Sequence, residues 1–263
     1  MKSFSPDSAL AAAIKAARRA GQVMRDHWRR PKRVHAVEAH DVKLELDLRC
    51  QRLIDKTLRA AFPEIPLLGE EGDSGDVNSE SRWVVDPIDG TVNYFFGIPH
   101  AAVSIALQRK TGNTQFQTVL GVIYDPFTDE LWTATQDGQT KLNGRAVQVS
   151  ARARLEEAVI AMGFSKNQEN LEKSLPHLNR LARRARKIRI LGSAALELAY
   201  VASGRLDAYI ERTINLWDIA AGALMVERSG GEMFLRALPD GRFRMCADNG
   251  KLRRQLRLDS LLK

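Results

Sequence analysis

Apolar residues recur at spacings of three and four from Leu10 through Ile14, Ala17, Gly21 and Met24 to Trp28. That period predicts one long amphipathic helix. Ser5-Pro6-Asp7 supplies its start, with serine as cap and proline at the first position, and Pro31 marks its end. A polar, irregular stretch follows over 31–45. Asp41 to Asp47 alternates and passes into a second stripe, Leu46, Cys50, Leu53, Ile54, Leu58 and Ala61. This predicts a second helix, closed by Pro63.

From 101 the pattern changes to short apolar or alternating runs at 102–107, 117–124, 130–135 and 146–149. Asp125-Pro126, Asp137-Gly138 and Asn143-Gly144 supply turns between them, so the segment reads as a β-meander. Beyond 150, strands and helices alternate. Strands are expected at 158–162, 188–191 and 206–210. Helices are expected at 168–186, at 193–203 with Ser193 as cap, and at 217–229 before Gly230-Gly231. The chain divides into an α+β half, 1–149, with an antiparallel sheet, and an α/β half, 150–263. The two are expected to share one core, with the functional site between them.

Chemistry concentrates after the apolar run Trp83-Val84-Val85, in Asp86-Pro87-Ile88-Asp89-Gly90-Thr91. Two carboxylates on a proline-forced turn at the end of a buried strand repel by about 4 kcal/mol at about 4 Å and an effective dielectric near 20. An isolated turn of this kind could be solvated decoration. However, Glu70 follows another apolar run, and Asp218 lies inside the apolar, small-residue segment Trp217–Gly222. Charged groups are rarely buried without partners. Glu70, Asp86, Asp89 and Asp218 therefore read as oxygen ligands converging on a hard divalent cation, with Asp86 able to bridge two ions and the Ile88 carbonyl as a neutral donor.

The segments Gly69-Glu70-Glu71, Trp83 to Thr91 and Trp217 to Gly222 resemble those of the inositol monophosphatase family, within the lithium-sensitive, magnesium-dependent sugar phosphatases. The likeness spans essentially the whole chain. It includes Gly192-Ser193-Ala194-Ala195 and the run Asp207 to Glu211. It implies a mixed α/β fold, a layered α-β-α-β-α sandwich. It also implies hydrolysis of a phosphate monoester such as inositol 1-phosphate, using two or three Mg2+ per site. One metal would use Glu70, Asp86 and the Ile88 carbonyl; a second would use Asp86, Asp89 and Asp218. Asp47 and Thr91 would orient the attacking water, with Asp47 accepting the threonine proton. Without the resemblance, Asp47 reads equally as a first-turn acid complementing the helix dipole.

Backbone N–H groups at Gly90 and Thr91 are expected to hold phosphate oxygens. The resemblance places Gly192, Ser193 and Ala194 beside the substrate ring and Glu211 against its hydroxyls. Ser165 and Lys166 would reach the site's edge. The chain departs from the commonest family wording at Asn93 to Pro99. It also has Ala36 and Leu44 where relatives often carry a lysine and a threonine, and Lys43 could replace the missing charge. Histidinol phosphate, fructose 1,6-bisphosphate and 3′-phosphoadenosine phosphates remain alternative substrates.

The net charge of +8 adds a second function class. Arg180, Arg183, Arg184, Arg186, Lys187 and Arg189 form the densest basic cluster. It suits a solvated helix end, or contact with RNA or RNA polymerase as a transcription-associated binding protein. No aromatics interleave it, which argues against a single-strand stacking platform. His27, His35 and His40 lack metal-ligand spacing. Cys50 and Cys246 form no disulfide framework. With no apolar signal core and no membrane-length apolar run, a cytoplasmic enzyme is expected, and the resemblance makes it a homodimer.

Overall fold

The computed structural model describes residues 5–32, 34–38, 41–112, 115–164 and 168–256, with backbone only for 34–38 and 41–43. Ser165, Lys166 and His40 lie outside it, as do the side chains of His35, Ala36 and Lys43. Helix α1 (Pro6–His27) buries Ala9, Ala13, Ala16, Ala17, Ala20 and Met24. Ser5 occupies the cap position, but its side chain makes no capping bond; the Ser8 hydroxyl donates to the Ser5 carbonyl instead. A hairpin, β1 (Val34–Glu38) and β2 (Asp41–Leu44), leads into α2 (Glu45–Arg59).

The first sheet runs β3 (Leu67–Gly69), β4 (Ser81–Asp89), β5 (Ala102–Thr111), β6 (Gln115–Asp125), β7 (Glu130–Thr135), β8 (Lys141–Leu142) and β9 (Arg145–Ala146), in sequence order. Only β3 and β4 pair in parallel; the rest form the expected meander. The short helix α3 (Thr91–Phe95) interrupts it directly after β4. The last strand expected at 146–149 closes at Ala146, and Val147 and Val149 instead bond to Thr140 and Ser229 carbonyls.

The second sheet has the order β11 (Lys187–Arg189), β10 (Val159–Met162), β12 (Ala208–Ile214), β14 (Phe243–Asp248), β13 (Glu232–Ala237). The first three are parallel and the last two antiparallel. Between these strands run α4 (Gln168–Ala182), α5 (Ala194–Ala202) and α6 (Leu216–Arg228), and the short helix α7 (Arg253–Leu256) follows the last of them. Strand β12 continues past Ile210 to Ile214, so Glu211 is an interior strand position and not a strand end.

Three apolar clusters define the layers. Helices α1 and α2 cover one face of the first sheet. Helices α5 and α6 fill the space between the two sheets. Leu181, Leu252 and Leu256, with the Leu155 turn, cover the outer face of the second sheet. The result is the mixed α/β, α-β-α-β-α sandwich. The middle cluster draws Val84 and Ile123 from the first half and Ala161 and Tyr209 from the second, so the halves share a core.

Candidate metal and phosphate site

The carboxyl end of β4 delivers the acids. Its register against β5 slips between Asp86 and Asp89, so the strand bends where Pro87 stands. The Asp86 side chain accepts the Ile88 N–H at 3.0 Å, tightening that bend. Gly90 ends it with φ of 89°, a left-handed conformation suited to glycine. A side chain there would also approach the His100 carbonyl to 2.9 Å and that of Gly192 to 3.2 Å. Gly90 thus brings the β4 turn against the segment preceding α5.

Asp86, Asp89 and Asp218 offer carboxylate oxygens that all lie within 4.8 Å of one another. Asp218 comes from the first turn of α6, where its carboxylate accepts the Asn215 N–H at 3.0 Å. Glu70 adjoins this trio through Asp86, with which it shares a hydrogen bond. Burial, then Glu70, Asp89 and Asp218, push the Asp86 carboxyl well above the usual range. Burial and the neighbouring acids do the same to Asp218. Asp89 rises to about 6 through burial, restrained by its donors. Those donors are the Ser193 hydroxyl and the N–H groups of Ala194 (3.2 Å) and Ala195 (2.8 Å).

The Glu70 turn is held from α2. Gln51 donates to the Gly72 carbonyl at 2.8 Å and accepts the Glu71 N–H at 3.0 Å. Asp47, also on α2, is buried, and its carboxylate accepts the Leu44 N–H at 2.7 Å, closing the helix's first turn. The Thr91 hydroxyl donates to the Ile88 carbonyl at 2.8 Å. This differs from the expected Thr91-to-Asp47 bond. Thr91 is the first residue of α3, and its Oγ1 reaches back three residues to the Ile88 carbonyl, a local option open to threonine.

Ser193 caps α5, accepting the Leu196 N–H at 3.4 Å while donating to Asp89. The Ala194 N–H, expected beside the substrate, is likewise directed to Asp89. Glu211 is half-buried, receives the Tyr209 hydroxyl, and faces Asp89 electrostatically; burial lifts it to about 7. Gly163 leaves the room it occupies: a Cβ there would lie 2.0 Å from Glu211 Oε2.

A profile of the inositol monophosphatase family matches residues 5–247. The chain belongs to the inositol monophosphatase family. It is 42% identical over 193 residues to the inositol-1-monophosphatase of Rhizobium meliloti, covering 73% of this chain and 71% of that protein. It is 40% identical over 221 residues to Nus factor SuhB of Xylella fastidiosa, covering 83% and 78%. Among solved structures, extragenic suppressor protein suhB from Bartonella henselae superposes with a TM-score of 0.86 at 35% identity, covering 94% of this chain and 96% of that one. The IMPase of Thermotoga maritima gives 0.83 at 32% identity, covering 94% of each. Family membership supports a phosphatase acting on phosphorylated substrates.

Around the acids, this inositol monophosphatase family member has supports that sequence reasoning missed. Asn93 Nδ2 donates to the carbonyls of His100 (2.9 Å), Leu191 (2.7 Å) and Gly192 (3.3 Å), tying the two halves together. Glu197, buried on α5, accepts the Leu191 N–H at 2.9 Å and meets the Tyr209 hydroxyl. A lone acid at the fourth position of an otherwise apolar helix was the available signal.

Proposed function

We propose that this protein hydrolyses a phosphate monoester with Mg2+, its substrate being inositol 1-phosphate or a similar polyol or sugar phosphate. The convergence of Asp86, Asp89 and Asp218 carries this reading. Three carboxylates at that separation, two of them fully buried, disfavour their own ionisation. An all-oxygen set of this kind fits a hard divalent cation. Glu70, Asp86, the Ile88 carbonyl, Asp89 and Asp218 would hold two ions, or three. Bound divalent cations would supply a water of lowered pKa and neutralise phosphate charge.

The chain's own groups do the positioning. Asp47 and Thr91 orient the attacking water, Thr91 by turning its hydroxyl away from Ile88. Gly90 and Thr91 present backbone N–H groups to the phosphate. Gly192, Ser193 and Ala194 flank the ring, and Glu211 accepts hydrogen bonds from its hydroxyls. In this reading 1–149 supplies most metal ligands, and 150–263 supplies substrate contacts and Asp218. Lithium inhibition follows from the family.

A phosphate-release assay over inositol 1-phosphate, histidinol phosphate, fructose 1,6-bisphosphate and 3′-phosphoadenosine phosphate tests it. A clear preference for the polyol phosphate supports the reading; preference for one of the others moves the substrate. No release from any of them in Mg2+ contradicts the enzyme assignment.

We read the chain as a cytoplasmic homodimer. Both cysteines are buried and unpaired with each other, and no helix among the described residues is long and apolar enough to cross a membrane. Phe96 (69% exposed), Ile98 (50%) and Ile190 (62%) project from the two segments that Asn93 ties together, an apolar surface suited to a second copy. Sedimentation of Phe96→Asp as a monomer supports that interface; an unchanged dimer removes it.

A second reading comes from relatives named Nus factor SuhB, and from the exposure of Arg183, Arg184, Arg186, Lys187 and Arg189 at the end of α4 and along β11. A transcription-associated role predicts recovery of RNA polymerase or RNA by the Asp86→Asn variant. Unchanged recovery after charge reversal at Arg183 and Arg184 excludes the basic cluster as the contact.

A further inference from the structure

A cavity of ≈ 430 Å³ lies away from the acids, between α6, the first sheet and the β13–β14 pair. Its wall on α6 is the stripe from Leu216 through Ala220 and Ala223 to Glu227. Asp218 belongs to a different face of that helix and does not line the cavity. Leu224, Leu235, Phe116 and Phe243 add apolar wall, and Gln117 adds a polar one.

The cavity floor is a polar row across three paired strands. Arg82 pairs with Gln108, and Gln108 with Thr118. Arg82 Nε donates to Gln108 Oε1 at 3.0 Å, and Gln108 Nε2 donates to Thr118 Oγ1 at 3.3 Å. The guanidinium stacks 3.8 Å from the centre of the Phe116 ring, and Nη1 makes a long 3.4 Å contact with the Val77 carbonyl. Among the described residues no carboxylate comes within 4.0 Å of it. Asp73 acts on it only at longer range, and burial holds its pKa below the usual arginine value. Glu227 and Arg228, both exposed at the cavity's edge, offset one another.

A half-buried guanidinium with no carboxylate on its Nη edge, at the floor of a space walled by both apolar and polar groups, can receive an anion. Arginine presents two parallel N–H donors to a planar carboxylate. One guanidinium suits a monoanion; a dianionic phosphate would keep excess charge near Glu227. The volume falls within the range of small-molecule sites. We propose that the cavity binds a small organic carboxylate with an apolar body, its carboxylate on Arg82 and its body between α6 and Phe243.

The probe is 4-phenylbutyrate, titrated calorimetrically into the whole protein, with 4-phenylbutanol as its uncharged counterpart. The acid is expected to bind one per chain, about tenfold or more tighter than the alcohol. Arg82→Gln should reduce acid affinity to that of the alcohol, and Ala223→Trp, which fills the space, should abolish binding of both. Either variant suffices if the other fails to fold. Asp86→Asn should bind the acid as the wild type does, which separates this cavity from the phosphatase reading. Absence of binding at millimolar acid, equal affinity for acid and alcohol, or indifference to Arg82→Gln or Ala223→Trp would overturn the proposal. So would loss of binding in Asp86→Asn, which would place the probe on the acids.

Discussion

The Ser193 hydroxyl donates to the Asp89 carboxylate, so an acid from the first half caps a helix of the second. Asp89 also takes the N–H groups of Ala194 and Ala195, so it adds to the Ser193 cap from a strand distant in sequence. The same carboxylate faces Asp86 and Asp218. The candidate metal site and the packing of β4 against α5 therefore depend on one side chain.

Ser193→Ala should lower both stability and turnover. Loss of a helix cap costs about 1 kcal/mol, and Asp89 loses one of the donors fixing its orientation. Denaturant midpoint and phosphate release measured on the same preparation check this. A variant with unchanged stability and unchanged turnover would show that the Asp89–Ser193 contact does not matter.

Asp218→Asn should separate folding from activity. The Asp218 carboxyl is held high by burial and by Asp89 and Glu70, so neutralising it relieves repulsion. In metal-free buffer its melting temperature should equal or exceed that of the wild type. With Mg2+ its turnover should fall by orders of magnitude. Full turnover would remove Asp218 from the ligand set.

Much of this was legible in the sequence because local patterns coincide with local structure. The three–four stripe from Leu10 is α1, and the turns at Asp125-Pro126 and Asn143-Gly144 do join strands of the first sheet. Strand β13 escaped notice because Glu232–Ala237 is a largely exposed edge strand with Glu232 and Arg236 in it, and its apolar signal is weak; β14 lies inside the sheet and is mostly buried, but Arg244 and Asp248 leave only the short run Met245-Cys246-Ala247 as its apolar signal. The acids were legible because buried carboxylates are anomalous. Their supports, Asn93, Gln51 and Tyr209, were not, because an amide or a phenol has no anomaly until its distant partners are known.

Gly163→Ala should act on substrate affinity before it acts on the fold. The added methyl would meet the Glu211 carboxylate, the end of a flexible side chain, so Glu211 moves and the backbone need not. KM for a polyol phosphate should rise severalfold with kcat nearly preserved. Unchanged KM would argue that Glu211 does not contact the substrate.

Glu197 gives a pH signature. Burial, with Glu211 and Asp89 nearby, lifts its carboxyl from 4.5 to about 8. Between those values the folded chain keeps a proton that the unfolded chain has lost. The stability from that proton is full below the lower value and is lost as pH rises through the upper one. The slope is at most about 1.4 kcal/mol per pH unit for one proton. Glu197→Gln should therefore lose less melting temperature than the wild type between about pH 6 and about pH 9. Parallel declines in the two proteins would contradict the assignment.

Anomalous diffraction from crystals soaked in Mn2+ tests the metal site most directly. Density peaks are expected between the Asp86, Asp89 and Asp218 carboxylates, with Glu70 and the Ile88 carbonyl within coordination distance, and their loss is expected in Asp86→Asn. Crystals with no peak among those acids, or with manganese bound only elsewhere, would contradict it.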